Sequence, residues 1–309
     1  FNGQGELCHR SKAFQEDFLL VDTRNLRPLP PEERQPGDDI AMIHDALLLG
    51  IKDFFKKNGF KRAVLGLSGG IDSAVVAVLA TEALGKDNVL GILMPSEFST
   101  DHSVKDALDL ARNLGIQSET LPIKEIYDQF LSTLKPIFGD RPFDVAEENL
   151  QARTRGILAM AVSNKLGHIL LNTSNKSEAA VGYGTLYGDL CGSLAVLGDV
   201  FKTDVYRLAR HLNREREVIP TNTLTKAPSA ELHPGQKDQD SLPDYATLDG
   251  ILKLYIEDNQ SPRQIEAAGF ARETVERVVS MVNRNEYKRA QCPPILKVSK
   301  KAFGNGRRI

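Results

Sequence analysis

Apolar residues recur at Ile40, Ile43, Leu47, Ile51 and Phe54, and these spacings of three and four mark one face of an amphipathic helix that stops at Asn58-Gly59. Beyond it, short β-rich runs alternate with longer helical patterns. AVLGL at 63–67 leads into a helix through Leu84, VLGILM at 89–94 into a helix through Leu114, and IQSETLPI follows at 116–123. A long helix from Ala146 to Lys165 and a fourth strand, HILLN at 168–172, continue the alternation. This order predicts an α/β fold, a doubly wound parallel sheet with flanking helices. Helical patterns return at 244–257, 261–269 and 271–285, predicting a helical C-terminal region ahead of a short basic tail. No internal repeat is seen. Ligands of such sheets gather at the carboxyl ends of the strands, so function is expected in the loops after Leu67, Met94 and Asn172.

Three stretches break the pattern. FLLVD at 18–22 is a brief apolar run and reads as one strand left over from an upstream domain. Residues 23–37 hold NLRPLPPEERQPG, whose prolines and charges favour extended, exposed backbone and read as a linker. The folded domain is then expected over 38–309. From Thr221 to Pro243 polar and proline residues dominate, too long a run for an ordinary connection, and a mobile lid or plain surface slack are the two readings.

Composition narrows the function classes. Across 309 residues, 39 Lys plus Arg oppose 41 Asp plus Glu, so no single-sign field favours nucleic acid or an anionic membrane. Apolar residues at 41% and charged residues at 26% describe a folded globular chain. The longest apolar stretches, such as Ala74 to Ala80, fall short of the ~20 residues a membrane-spanning helix needs. The first segment lacks the apolar centre of a secretory signal and begins with Phe1, so the chain is expected to start inside a longer polypeptide. Cys8, Cys191 and Cys292 form no CxxC pair and no complete disulfide set, which fits a reducing cytoplasm.

The candidate chemistry sits after the first strand, in Ser68-Gly69-Gly70-Ile71-Asp72-Ser73, ahead of the apolar helix AVVAVLA. Adjacent glycines let several N–H groups point inward, and with the positive helix end they make a nest for phosphate oxygens. Ser68 and Ser73 add hydroxyl donors. Asp72 suits phosphate only through a divalent cation, and so reads as a Mg²⁺ ligand. The plainer alternative is a tight strand-to-helix turn with a first-turn acid favoured by the helix dipole.

The whole string SGGIDS between strand and helix resembles the pyrophosphate loop of the ATP-pyrophosphatase superfamily, and the Gly-Lys-Ser/Thr ending of an ordinary P-loop is missing. Further strings resemble NAD synthetases: MPSEFSTDHS at 94–103, ENLQARTRG at 148–156, LNTSNKSE at 171–178, GTLYGDLCGSLAVLGDVFKTDVYRLA at 184–209, KAPSAELHPGQKDQDSLPDY at 226–245 and EYKRAQCPPILKVS at 286–299. Their order is closer to the synthetase domain of glutamine-dependent enzymes than to the short ammonia-dependent ones. Residues 1–22 resemble the end of a nitrilase-like amidase domain.

The resemblance implies an adenine nucleotide alpha hydrolase-like fold and an amide ligase that uses ATP and Mg²⁺. Such an enzyme joins ammonia, delivered from glutamine by an upstream domain, to deamido-NAD through an acyl adenylate, and works as a homodimer or higher homo-oligomer. It places the ATP phosphates on Gly66, Leu67, Ser68, Gly69, Gly70, Ile71, Asp72 and Ser73, with Thr173, Lys202 and Ser229 also on ATP. Asp72 and Glu178 become the metal ligands, and these two with Lys202 the catalytic set. Asn149, Arg153, Glu178 and Lys288 would address deamido-NAD, Lys288 across a dimer interface. Alone, Glu178 reads equally as a first-turn acid and Arg153 as a solvated helix residue. His102 either lines the adenine side or is a surface residue near a helix cap. Two positions depart from the short enzymes, which place a lysine and an aspartate where this chain has Leu186 and Ser193. The rivals are another amidotransferase of the superfamily, such as a GMP synthetase, and a nucleotide-binding module without turnover.

Overall fold

The computed structural model describes residues 1–34 and 38–304, so residues 35–37 of the linker and 305–309 of the basic tail lie outside the described residues. The linker contains one helical turn, α1 (Pro31–Arg34), with proline in the first position that suits its fixed φ. α2 (Asp39–Asn58) follows from the expected stripe, burying Ile40, Leu47, Ile51 and Phe55, and ends at Gly59 in the left-handed conformation.

β1 (Ala63–Gly66), α3 (Ile71–Leu84), β2 (Val89–Leu93), α4 (Asp101–Leu114) and β3 (Gln117–Thr120) come next in the chain. α5 (Lys124–Phe138), α6 (Val145–Leu166), β4 (Ile169–Asn172), α7 (Lys176–Val181) and β5 (Leu194–Ala195) complete the sheet region. All pairings are parallel, in the order β3-β2-β1-β4-β5, with Leu65 opposite Gly91 and Val64 opposite Leu170. β1 and β2 are buried on both faces, as their unbroken apolar runs require, while polar β3 lies at the edge. Alternation along β1 sends Ala63 and Leu65 into the core shared with α2 and α3, and Val64 into a second cluster with Ala159 of α6. α3 is apolar nearly all round because it lies between the sheet and α2 and α8 (Lys202–Leu212).

α9 (Thr221–Thr225) opens the polar stretch, and α10 (Tyr245–Leu252), α11 (Pro262–Ala267), α12 (Arg272–Arg284) and α13 (Glu286–Arg289) form the helical C-terminal region. They have their own core, with Leu248, Ile256, Ile265, Val275 and Val278 against Ala180 and Val181 of α7.

Several expectations need correction. FLLVD at 18–22 forms no strand: Phe18 and Leu20 are 84% and 91% exposed, because an apolar run becomes a strand only where a sheet edge pairs with it. Strand β3 is shorter than 116–123, and α5 and β5 were not anticipated. The 221–243 stretch is not slack. It lies over the carboxyl ends of the strands, with Gln151 Nε2 donating to Leu232 O at 2.9 Å.

Two charge groups, one of them fully buried, invite tests. Lys176 is fully buried, 2.8 Å from Asp199 and 2.7 Å from Glu257, and also donates to Ser299 Oγ and Lys301 O. Asp199 in turn accepts from the N–H groups of Val298 and Ser299, so this cluster fastens the C-terminal segment to α7. Lys176→Met strands two buried carboxylates and should cost about 3–5 kcal/mol in denaturant unfolding; a loss below about 1 kcal/mol would contradict the assignment. His44 lies between Glu82 and Asp45, at 2.8 and 2.9 Å, with its ring 5.3 Å from that of His211. The hydrogen bond to Glu82 raises its pKa against the effect of burial. Its stabilisation is therefore complete below about pH 6.5 and lost as pH climbs through the raised folded value. The thermal-stability gap between wild type and His44→Gln should shrink from acidic to alkaline pH, and a gap that widened would refute this.

Candidate active site

Strand order reverses between β1 and β4, so the chain leaves these neighbours toward opposite sides and opens a crevice at their carboxyl ends. Leu67 N donates to Ile92 O at 2.8 Å and holds the loop after β1 at the sheet edge. The turn then requires glycine. Gly69 has φ +77°, and a Cβ there would lie 2.2 Å from Ser103 O. Ser73 Oγ donates to Gly70 O at 3.0 Å, and Ser68 Oγ accepts from Gly70 N at 3.1 Å, so the two serines shape the loop from within. α3 begins at Gly70 with no side-chain cap, and its first N–H groups face a cavity of about 760 Å³.

Three charges meet at the mouth of that loop. Asp72 in the first turn of α3 accepts from Asn175 Nδ2 at 2.9 Å. Asn175 also caps α7, its Oδ1 accepting from Glu178 N at 3.0 Å in a capping box with the Glu178 carboxylate. Lys202, first residue of α8, places its ammonium 2.5 Å from Asp72 Oδ2 and 3.1 Å from Glu178 Oε1. Burial raises the Glu178 pKa well above the ordinary carboxylate range, opposed by Lys202 and reinforced by Asp72 and Asp238. Burial disfavours charge on Lys202, but Asp72 and Glu178 outweigh it and hold its pKa up, so the ammonium keeps its proton. The Tyr245 ring lies 5.2 Å from this ammonium, and its hydroxyl donates to Asp238 of the 221–243 stretch at 2.8 Å. Tyr183 donates to the other oxygen of Asp238 at 3.1 Å.

The remaining candidates divide. Thr173, Asn149, Ser229, Lys288 and His102 all line the cavity. Asn149 Oδ1 accepts from Thr185 Oγ1 at 2.6 Å, Ser229 Oγ accepts from Glu231 N, and Lys288 Nζ donates to the carbonyls of Gly182 and Gly184 at 2.8 Å each. Burial lowers the pKa of Lys288. Arg153 does not reach the cavity: its Nε donates to Leu186 O at 3.2 Å. On α6 the cavity side is Glu148, Asn149, Ala152, Arg155, Gly156 and Ala159, and Arg153 lies about 100° round the helix from Ala152. Ser193 serves the sheet edge, its N–H donating to Leu170 O. Burial pushes the Cys191 thiol up to about 11, which leaves it unsuited to nucleophilic work.

Several site residues had no assignment. Asn175 was legible as the first member of an Asn-x-x-Glu box. Tyr183, Asp189, Glu231, Asp238 and Tyr245 carry no local signal, since each acts through a partner far away in sequence. Glu231 shows this best: its carboxylate accepts from Thr100 Oγ1 at 2.8 Å and Ser103 Oγ at 2.7 Å, drawing the 221–243 stretch onto the start of α4.

The family model described as NAD synthase matches residues 43–292. A glutamine-dependent NAD(+) synthetase of Synechocystis is 52% identical over all of this chain and 56% of its own length, and the chain spans about half the length of the curated relatives it matches. A glutamine-dependent NAD+ synthetase from Acinetobacter baumannii, solved with ADP, is 41% identical at TM-score 0.62 over 91% of this chain and 51% of its own. An NMN synthetase from Francisella tularensis is 29% identical at TM-score 0.70, over 81% and 95%. The loop, the paired acids and the match over most of the fold lead to one conclusion: the chain belongs to the NAD synthase family.

Proposed function

We propose that this chain is the synthetase part of a glutamine-dependent NAD⁺ synthetase, an amide ligase that converts deamido-NAD to NAD⁺ at the cost of ATP. The observation that carries the reading is the meeting of Asp72, Glu178 and Lys202 at the uncapped start of α3, in a cavity roomy enough for nucleotides. In this reading the nicotinate carboxylate attacks the α-phosphorus of ATP, pyrophosphate leaves, and ammonia then attacks the acyl carbon and expels AMP. A carboxylate is a poor electrophile until its oxygen can depart, and the adenylate supplies that leaving group.

The protein's part is placement and charge. N–H groups of Ser68 to Ser73 would receive the phosphates, with Thr173 and Ser229 also on ATP. Lys202 keeps a positive charge beside them. Asn149, Glu178 and Lys288 would border deamido-NAD, and Arg153, outside the cavity, would meet it only where the ligand extends past the mouth. The donor set fits Mg²⁺: the Asp72 and Glu178 carboxylates meet at the start of α3, and since the described residues hold no cluster of three or more metal-type ligands, phosphate oxygens and water would complete an octahedral shell. Bound there, Mg²⁺ would neutralise phosphate charge. No side-chain nucleophile is needed.

The same reading makes residues 1–22 the end of an amidase domain that supplies ammonia, 23–37 a linker and 38–309 the synthetase domain. Relatives about twice as long support it. The same reading makes the assembly a homodimer or higher homo-oligomer, as the resemblance implies, and three free cysteines fit a cytoplasmic setting.

Purified protein given deamido-NAD, ATP, Mg²⁺ and ammonia should release NAD⁺, AMP and pyrophosphate in equal amounts. Asp72→Asn and Glu178→Gln should each lower that rate by about a hundredfold or more with circular dichroism unchanged. Amidation of xanthylate in place of deamido-NAD, or near-normal rates in both variants, would overturn the reading.

A further inference from the structure

Arg155 lines the same cavity as the Asp72, Glu178 and Lys202 cluster, from α6 together with Ala152 and Gly156. Its Nε donates to Met94 O at 2.9 Å, which pins the guanidinium at the carboxyl end of β2. Among the described residues no acceptor meets its two terminal nitrogens. The acids that influence it are engaged elsewhere, Glu231 with Thr100 and Ser103, and Asp189 with Thr185 N at 2.8 Å. Burial pulls its pKa down to about 10 despite those two carboxylates, as expected for a cation with little water and no direct counter-ion. A planar fork with both prongs open is a bidentate receptor for a pair of oxyanion oxygens. Phosphate is the anion that ATP and deamido-NAD share.

We infer that Arg155 binds a phosphate group of one of the two nucleotide substrates through its terminal nitrogens, an anion contact supplied by α6 in addition to the loop at Ser68–Ser73. The inference rests on the proposed function for the identity of those substrates. Bidentate engagement of one phosphate occupies both terminal nitrogens, so removal of the guanidinium discriminates between the two ligands. The Met94 contact alone would not: losing it would disturb the end of β2 and weaken both.

Isothermal titration of the protein with Mg²⁺-ATP alone and with deamido-NAD alone tests this in wild type, Arg155→Gln and Arg155→Lys. Arg155→Gln should raise Kd about tenfold or more for one ligand and less than about twofold for the other, with Tm preserved. Arg155→Lys keeps a cation and should lose less, on the same ligand. Selective loss of ATP assigns the contact to the triphosphate, and selective loss of deamido-NAD to the dinucleotide. Equal losses for both ligands, or none, overturn the inference while leaving the proposed function standing. Failure of the wild type to bind either ligand removes both.

Discussion

Two carboxylates, Asp72 and Glu178, face one ammonium, and the rest of the site is arranged around that contact. Like charges this close and this buried cannot both stay ionised without a cation, and losing either kind of partner leaves an uncompensated charge. The three residues open three different helices, α3, α7 and α8, so their meeting fixes how those helices converge. Parallel strands make the meeting possible. Because strand order reverses between β1 and β4, α3 and α7 begin side by side.

α7 shows how the arrangement is held. Three consecutive residues point to three different parts of the molecule. Lys176 reaches down to Asp199, Glu257 and the C-terminal segment, Ser177 donates to Asp249 of α10, and Glu178 turns toward Lys202. Asp249 also accepts from Thr203 N at 2.8 Å, so α10 fastens the starts of α7 and α8 together. Tyr245, one turn earlier on α10, touches both the Lys202 ammonium and the Asp238 carboxylate. The helical C-terminal region is thus a brace for the charges, and the 221–243 stretch is tied into the same brace.

What the sequence revealed follows the reach of each interaction. β1, β2 and β4 were legible because parallel strands buried on both faces need continuous apolar runs, and the start of α3 because Gly69 in that turn has no substitute. β5 has only two residues and gains its identity from pairing with β4, which no local pattern encodes. α5 was missed although it is amphipathic, since it carries Pro136 and buries only Tyr127. Phe18 to Val21 misled in the other direction, as apolar character without a sheet edge gives no strand. Asn149 and Arg153 lie on one helix, but the cavity side of α6 runs through Asn149, Ala152 and Arg155. Glu231 and Asp238 were illegible because their partners stand at the start of α4, just past the end of α7 and on α10.

The central claim is that the N–H groups at the start of α3, with Asp72, Glu178 and Lys202 beside them, form the seat of the ATP triphosphate. A crystal structure with Mg²⁺ and α,β-methylene-ATP tests it most directly. The account predicts phosphate oxygens within hydrogen-bond distance of the Ser68–Ser73 amides, with the metal on the Asp72 and Glu178 carboxylates. Triphosphate bound anywhere else, with that loop left bare, would contradict it.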